Sequence, residues 1–189
     1  MFNLIDFTMK PLHVILAFST FLLFSCSTSK ITVLEDNEGQ FKLSDFTNFT
    51  FLGVEAEGEL QDNYKENIEL IKDEVISKME SRGMAYKPDQ AELGINIGIL
   101  VEEKTQTRET GLLTDPGTFN YIGQRRYSWK SETVALGKYK LGTATIHFID
   151  TKANKAVWVG VMEKVVNENP EKTNEAIKKS VADLFEKLD

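Results

Sequence analysis

Few residues in this chain could carry catalysis. Cys26 is the single cysteine and His147 is one of two histidines, the other being His13 in an apolar leader. A disulfide within one molecule is therefore excluded, and so is a histidine-based metal cluster, which needs several imidazoles or thiolates around one ion. There is no GxSxG turn, glycine-rich phosphate loop or HExxH helix. His147 stands beside Thr145 and Ile149 in a strand-like segment, where a structural or partly exposed imidazole is expected rather than a general base. Carboxylates are the remaining source of chemistry, since the chain has 29 Asp and Glu residues and a fold could gather two for acid-base work. Glu102 and Glu103 are not such a pair, because neighbours on a strand point to opposite faces. No catalytic residue, metal ligand or cofactor is assigned.

A second grouping suits binding better than catalysis. Arg108, Tyr121, Arg125, Arg126 and Tyr127 lie in or just after a long segment, 104–124, that carries Gly111, Pro116, Gly117 and Gly123. Arg and Tyr anchor interfaces, and connections of this length are often functional. These five residues form the candidate interaction loop, with a strand expected from Arg125 to Trp129. The plainer reading is a solvated loop ahead of an amphipathic strand. Nucleic acid is not the expected partner, because a net charge of −7 leaves no concentrated basic face.

The leader says where such a surface would work. Its apolar run, PLHVILAFSTFLLFS, is about fifteen residues, short of the ~20 that span a bilayer, and reads as a signal-peptide core. Met9-Lys10 makes a better start than Met1, because it places a positive charge directly ahead of that run. The run ends Leu23-Phe24-Ser25-Cys26, which resembles the lipobox of bacterial lipoproteins. The expectation is a lipoprotein signal peptide over 1–25, acylation of Cys26, and a tether over 26–30. Several acyl chains would anchor the protein stably where one would not. Ser27, with no acidic residue after the cysteine, implies by the same resemblance an outer-membrane protein facing the periplasm.

One domain, 31–189, remains to be built. Its centre is expected at 139–166, where two runs rich in β-branched and aromatic residues flank the polar Asp150 to Lys155, as in a β-hairpin. Trp158 shares a strand face with Ala156, Gly160 and Met162, and is expected to be buried where the glycine leaves room for its ring. Strands are expected at 31–34, 48–54 and 91–103. In the last, Leu93, Ile95, Ile97, Ile99 and Val101 form an apolar face opposite Gly94, Asn96 and Gly98. The glycines there suit sheet twist or a bulge, with the admission of a neighbouring backbone or a ligand as the other reading. Phe49 and Phe51 are assigned to packing.

The spacing of Ile68, Ile71, Val75 and Met79 predicts a helix over 64–82, opened by an Asn63-Glu66 capping box and closed at Gly83. A last helix begins at Asn169-Pro170-Glu171 and continues through Ile177, Val181, Leu184 and Leu188. The fold class is α+β: a two-layer sandwich of a mainly antiparallel sheet with two helices on one face.

Three segments carry a family resemblance: SDFTNFTFL, SRGMAYKPDQAELGINI and YKLGTATIHFIDTKANKAVWVGVMEK. With Gly142-Thr143, Ile149-Asp150 and Val157-Trp158-Val159-Gly160 as their most recognisable positions, they resemble bacterial envelope lipoproteins carrying the domain of unknown function 4136. Glu92 stands where that family commonly has aspartate, and Val159 where a basic residue often precedes the glycine. The resemblance implies no established activity. The expected function is a lipid-anchored envelope protein acting non-enzymatically as a binding or assembly module, with an envelope protein or glycan as partner. The alternative is a carboxylate-based hydrolase of an envelope substrate.

Overall fold

A strand on which Leu93, Ile95 and Ile97 alternate with Gly94, Asn96 and Gly98 has one face that must be covered and one that need not be. The computed structural model describes residues 29–35, 39–111 and 131–188, and two helices supply that cover. The strands are β1 (Lys30–Glu35), β2 (Asn48–Gly58), β3 (Ala85–Tyr86), β4 (Leu93–Glu109), β5 (Thr133–Asp150) and β6 (Lys155–Val165). They form one sheet in the order β1-β6-β5-β4-β2-β3. Helix α1 (Tyr64–Glu80) connects β2 to the β3–β4 region, and α2 (Pro170–Phe185) follows β6. The architecture is α+β, as expected.

Connectivity sets the strand directions. The β1–β6, β6–β5 and β5–β4 pairs are antiparallel, whereas β2 runs parallel to both β4 and β3. A helix inserted after β2 returns the chain to the end it came from, so the strands before and after α1 run the same way. The sheet is therefore mixed. The β5–β6 hairpin takes two inner positions, and its turn closes through Asp150. One oxygen of that carboxylate accepts the Lys152 and Ala153 N–H groups at 2.8 and 3.0 Å, and Asn154 adopts a left-handed φ of 50°.

Large aromatic side chains are buried where the hairpin meets the helices. Across the sheet Ile95 pairs with Phe148 and Phe148 with Trp158, so the three side chains stand in one row on the helix side. Trp158 is 2% exposed and stacks on Phe148, with ring centroids 5.1 Å apart, while Phe185 of α2 meets Phe148 edge-on at 6.3 Å. Gly160 makes this possible, because a Cβ there would strike both the indole and the Leu184 side chain. Val75 and Met79 of α1 and Val181 and Leu184 of α2 are fully buried on the same layer. Phe49 is also fully buried, and with Phe51 and Tyr86 it forms an aromatic group at the β2–β3 edge.

Four local expectations are corrected. Helix α1 lacks the capping box, since Asn63 sits at φ −90°, ψ 20° with no side-chain bond, and a backbone turn from Tyr64 N–H to the Gln61 carbonyl opens the helix instead. The helix ends at Glu80 rather than Arg82, although Gly83 at φ 84° does close it, with Met84 N–H reaching back to the Met79 carbonyl. Strand β2 continues to Gly58, past the expected end at 54. Most consequentially, 104–109 is not loop. Strands β4 and β5 stay paired out to Glu109 and Thr133, beyond the last β2 partner at Val101 and the last β6 partner at Leu141. The β4 half of this two-stranded arm, Glu102 to Glu109, is polar on both faces, so it carried no alternating apolar signal. A bulge at Leu136 and an ion pair of 2.6 Å between Lys138 and Glu103 mark the arm.

The aromatic row yields the first prediction. Trp158→Ala is expected to cost ~3–5 kcal/mol, as removal of a buried Trp generally does. Leu136→Ala, on the exposed bulge of the arm, is expected to change stability by less than ~0.5 kcal/mol. Denaturant midpoints of the two variants check this, and equal shifts would remove Trp158 from the core.

Candidate functional site

Two regions concentrate what this fold can offer a ligand, one at each end of the sheet. At the end where β4 and β5 leave for the arm, α1 and α2 enclose an apolar cavity of about 130 Å³. Ile68 and Ile71 of α1, Ala176, Ile177 and Val181 of α2, and Ile99, Ala144 and Met162 of the sheet line it. The helices are held together toward their C-terminal ends. There Arg82 donates to the Phe185 carbonyl at 3.0 Å with its guanidinium 5.3 Å from the Phe185 ring, and Lys178 approaches Glu74 at 3.8 Å. The small residues Thr173, Ala176 and Ser180 of α2 and Asn67 and Ile68 of α1 line the space left between the helices. Gln61 and Asn167, both lining it, are joined by a hydrogen bond of 3.4 Å.

The chain enters the domain beside this groove. Ser29 is 5% exposed, and its hydroxyl shares a hydrogen bond of 2.5 Å with that of Ser180, itself a groove residue. Strand β1 then starts with Lys30 opposite Glu163, where the two side chains form an ion pair of 2.7 Å. Lys30, the first residue of β1, thus lies near the β6 end at Lys164 and Val165, which also line the groove.

At the opposite end a polar knot ties three elements. The Glu92 carboxylate accepts the Thr47 N–H at 2.9 Å and the Thr47 hydroxyl at 3.0 Å, while the Glu92 N–H donates to Asn48 Oδ1 at 2.8 Å. Thr151, in the hairpin turn, donates through its hydroxyl to the carbonyls of Ala91 and Glu92. Thr47, chiefly through its N–H, holds the Glu92 carboxyl below the usual glutamate range, and Lys152 at 3.7 Å adds a smaller pull. Beside the knot lies a polar cleft of about 300 Å³ lined by Lys42, Asp45, Phe46, Glu92, Asp150 and Lys152. The fold thus gathers carboxylates here, but Glu92 and Asp150 each hold backbone in place.

The remaining candidates are scattered. His147 is half-buried on the helix-free face between Asn96 and Val159. Gly94, on that face, leaves space that the Leu52 side chain occupies, so this glycine accommodates a neighbour within the sheet. Among the described residues, no three His, Cys, Asp or Glu side chains are grouped so as to hold a metal ion. Arg108 lies on β4 in the arm opposite Val134. Tyr121, Arg125, Arg126 and Tyr127, the strand expected from Arg125 to Trp129, and Cys26 all lie outside the described residues. Sequence reading missed the groove and the knot. For the groove the only signal was the small residues on α2; for the knot it was Glu92 at the family's acidic position.

The fold and its two ends define an α+β domain with an apolar groove between its helices. The chain belongs to the family of the domain of unknown function 4136, whose model matches residues 33–188. No curated protein sequence matches it. Among solved structures it is similar to the PelC dodecamer from Paraburkholderia phytofirmans, with 10% identity and a TM-score of 0.46 over 85% of this chain and 97% of that one. It is also similar to a neuraminyllactose-binding hemagglutinin homolog from Helicobacter pylori, with 13% identity and a TM-score of 0.44 over 76% of this chain and 86% of that one. A PDZ domain protein from Parabacteroides distasonis matches at 13% identity and a TM-score of 0.43. This chain spans 34% of that protein's length and is 80% covered by the match. Among the described residues, no helix is long and apolar enough to cross a membrane.

Two predictions follow from the ends of the sheet. Ser180→Ala strands the buried Ser29 hydroxyl and is expected to cost ~1–3 kcal/mol, whereas removing both hydroxyls should cost less than the single change. A double-mutant cycle by chemical denaturation measures the difference. For Glu92, a lowered folded pKa means that ionisation stabilises the fold at neutral pH and that this is lost as pH falls through the folded value. Glu92→Gln should therefore be less stable than the parent near pH 7, with the gap closing as pH falls below the ordinary glutamate range. A gap constant with pH would show that the charge is irrelevant.

Proposed function

We propose that this protein is anchored in the cell envelope by acylation of Cys26 and acts non-enzymatically, as a binding or assembly module. The observation that carries the reading is the position of Ser29. Three residues after a cysteine that closes an apolar leader, the chain is already buried and bonded to α2. At ~3.3–3.6 Å per residue, three residues reach at most about 11 Å, so the domain would sit directly against the surface that holds its anchor. Ser27 favours the outer membrane, with the body facing the periplasm.

Two of the three carboxylates of the polar cleft, Glu92 and Asp150, favour binding over hydrolysis. A carboxylate hydrolase needs one acid kept protonated near neutral pH, by a pKa shifted upward. Glu92 is shifted the other way, and Asp150 is committed to the hairpin turn. The arm and the segment beyond it, with Arg108, Tyr121, Arg125, Arg126 and Tyr127, remain the proposed contact region for an envelope protein or glycan.

Replacement of Cys26 by Ser tests the anchor. The expected result is loss of metabolic palmitate labelling and release of the protein from the membrane fraction. Retention in that fraction without any lipid label would overturn the reading.

A further inference from the structure

We propose that the groove between α1 and α2 houses part of one acyl chain carried on this protein's own Cys26. The inference rests on the acylation proposed above and goes further, because it assigns the lipid a protein site as well as a membrane. Three observations converge on it. The groove is walled by Ile68, Ile71, Ile99, Met162, Ile177 and Val181, so its lining offers an apolar guest close contact and a polar guest little. Its volume of about 130 Å³ compares with the roughly 150 Å³ of an engineered apolar cavity that stays dry and binds benzene. It would hold a stretch of a hydrocarbon chain and leave the rest outside.

Position singles out the occupant. Ser29 is bonded to Ser180, which lines the groove, and the β1–β6 pairing starts with Lys30 opposite Glu163, next to the lining residues Lys164 and Val165. Cys26 stands three residues before Ser29, which keeps its Cα within about 11 Å of that of Ser29. A covalently attached chain is therefore presented to the groove at a high effective concentration that no free lipid matches. A bilayer competes for the same hydrocarbon, so the site's hold is greatest when the protein is off the membrane.

The test places a photo-activatable benzophenone side chain at Asn67, on the α1 wall, in the full-length acylated protein. A control carries it at Tyr86, on the β3 edge. Mass spectrometry reads both the acyl groups on Cys26 and any adduct. The expected result is an adduct joining the peptide containing position 67 to the acylated amino-terminal peptide, absent from the Tyr86 control. It should be lost when Ala176→Trp fills the groove. If that variant lowers the denaturation midpoint, Ala176→Leu takes its place. Adducts with membrane phospholipid alone, no adduct in acylated protein, or an adduct that survives groove filling would each overturn the proposal. An unacylated Cys26 would overturn the anchor and this inference together, whereas acylation without the adduct overturns only the inference.

Discussion

The stack of Trp158 on Phe148 is the contact on which the rest of this domain depends. It joins the two strands of the hairpin on the face that both helices cover, and it exists because Gly160 withholds a side chain where the indole and Leu184 need the space. A sheet covered on one face has a single layer in which to bury apolar surface, so a small domain must fill that layer well. The row Ile95, Phe148, Trp158 does so across three strands, and Phe185 seals it from above. Val75, Met79, Val181 and Leu184 pack beside this row, and polar contacts secure the ends of the sheet.

Those two ends are built on opposite principles. At the hairpin-turn end, backbone groups that β2, β4 and the β5–β6 turn would leave exposed are satisfied by Thr47, Asn48, Glu92 and Thr151. An anionic carboxylate serves there as an acceptor for fixed N–H and O–H donors, which is why its proton affinity falls. At the arm end the helices carry small residues and leave an apolar space. One end is closed by a polar knot; the other keeps an apolar groove between the helices.

How much was legible follows from how local each signal is. The hairpin and the start of α2 were readable, since Asp150 and Asn169 accept N–H groups two and three residues ahead of themselves. The apolar stripe of α1 was readable from its spacing, but its first turn was not, because Asn63 proved a cap in residue type alone. The arm escaped notice because strands that bury nothing show no alternation: Lys104, Thr105, Gln106 and Thr107 would read the same in a loop. The parallel β2–β4 pairing, the Thr47–Glu92 bonds and the groove join residues far apart in the chain, and no local pattern announces them. Arg108 apart, the interaction-loop residues fall outside the described structure, so their grouping stands as it was read from sequence.

The arm has a further consequence once the entry point of the chain is considered. Lys30 pairs with Glu163, Glu163 with Thr143 and Thr143 with Leu100, so the chain enters at the sheet end from which the arm departs. At ~3.4 Å per residue the unflanked part of the arm is about 25 Å long, more than twice the ~11 Å that the three residues from Cys26 to Ser29 can span. Were Cys26 acylated as proposed, so short a tether beside so long a projection would act as a hull with an outrigger. The domain would not stand upright over its lipid without the projection meeting the bilayer first. That second point of support would restrict rolling about the tether and give the anchored protein a preferred heading on the membrane.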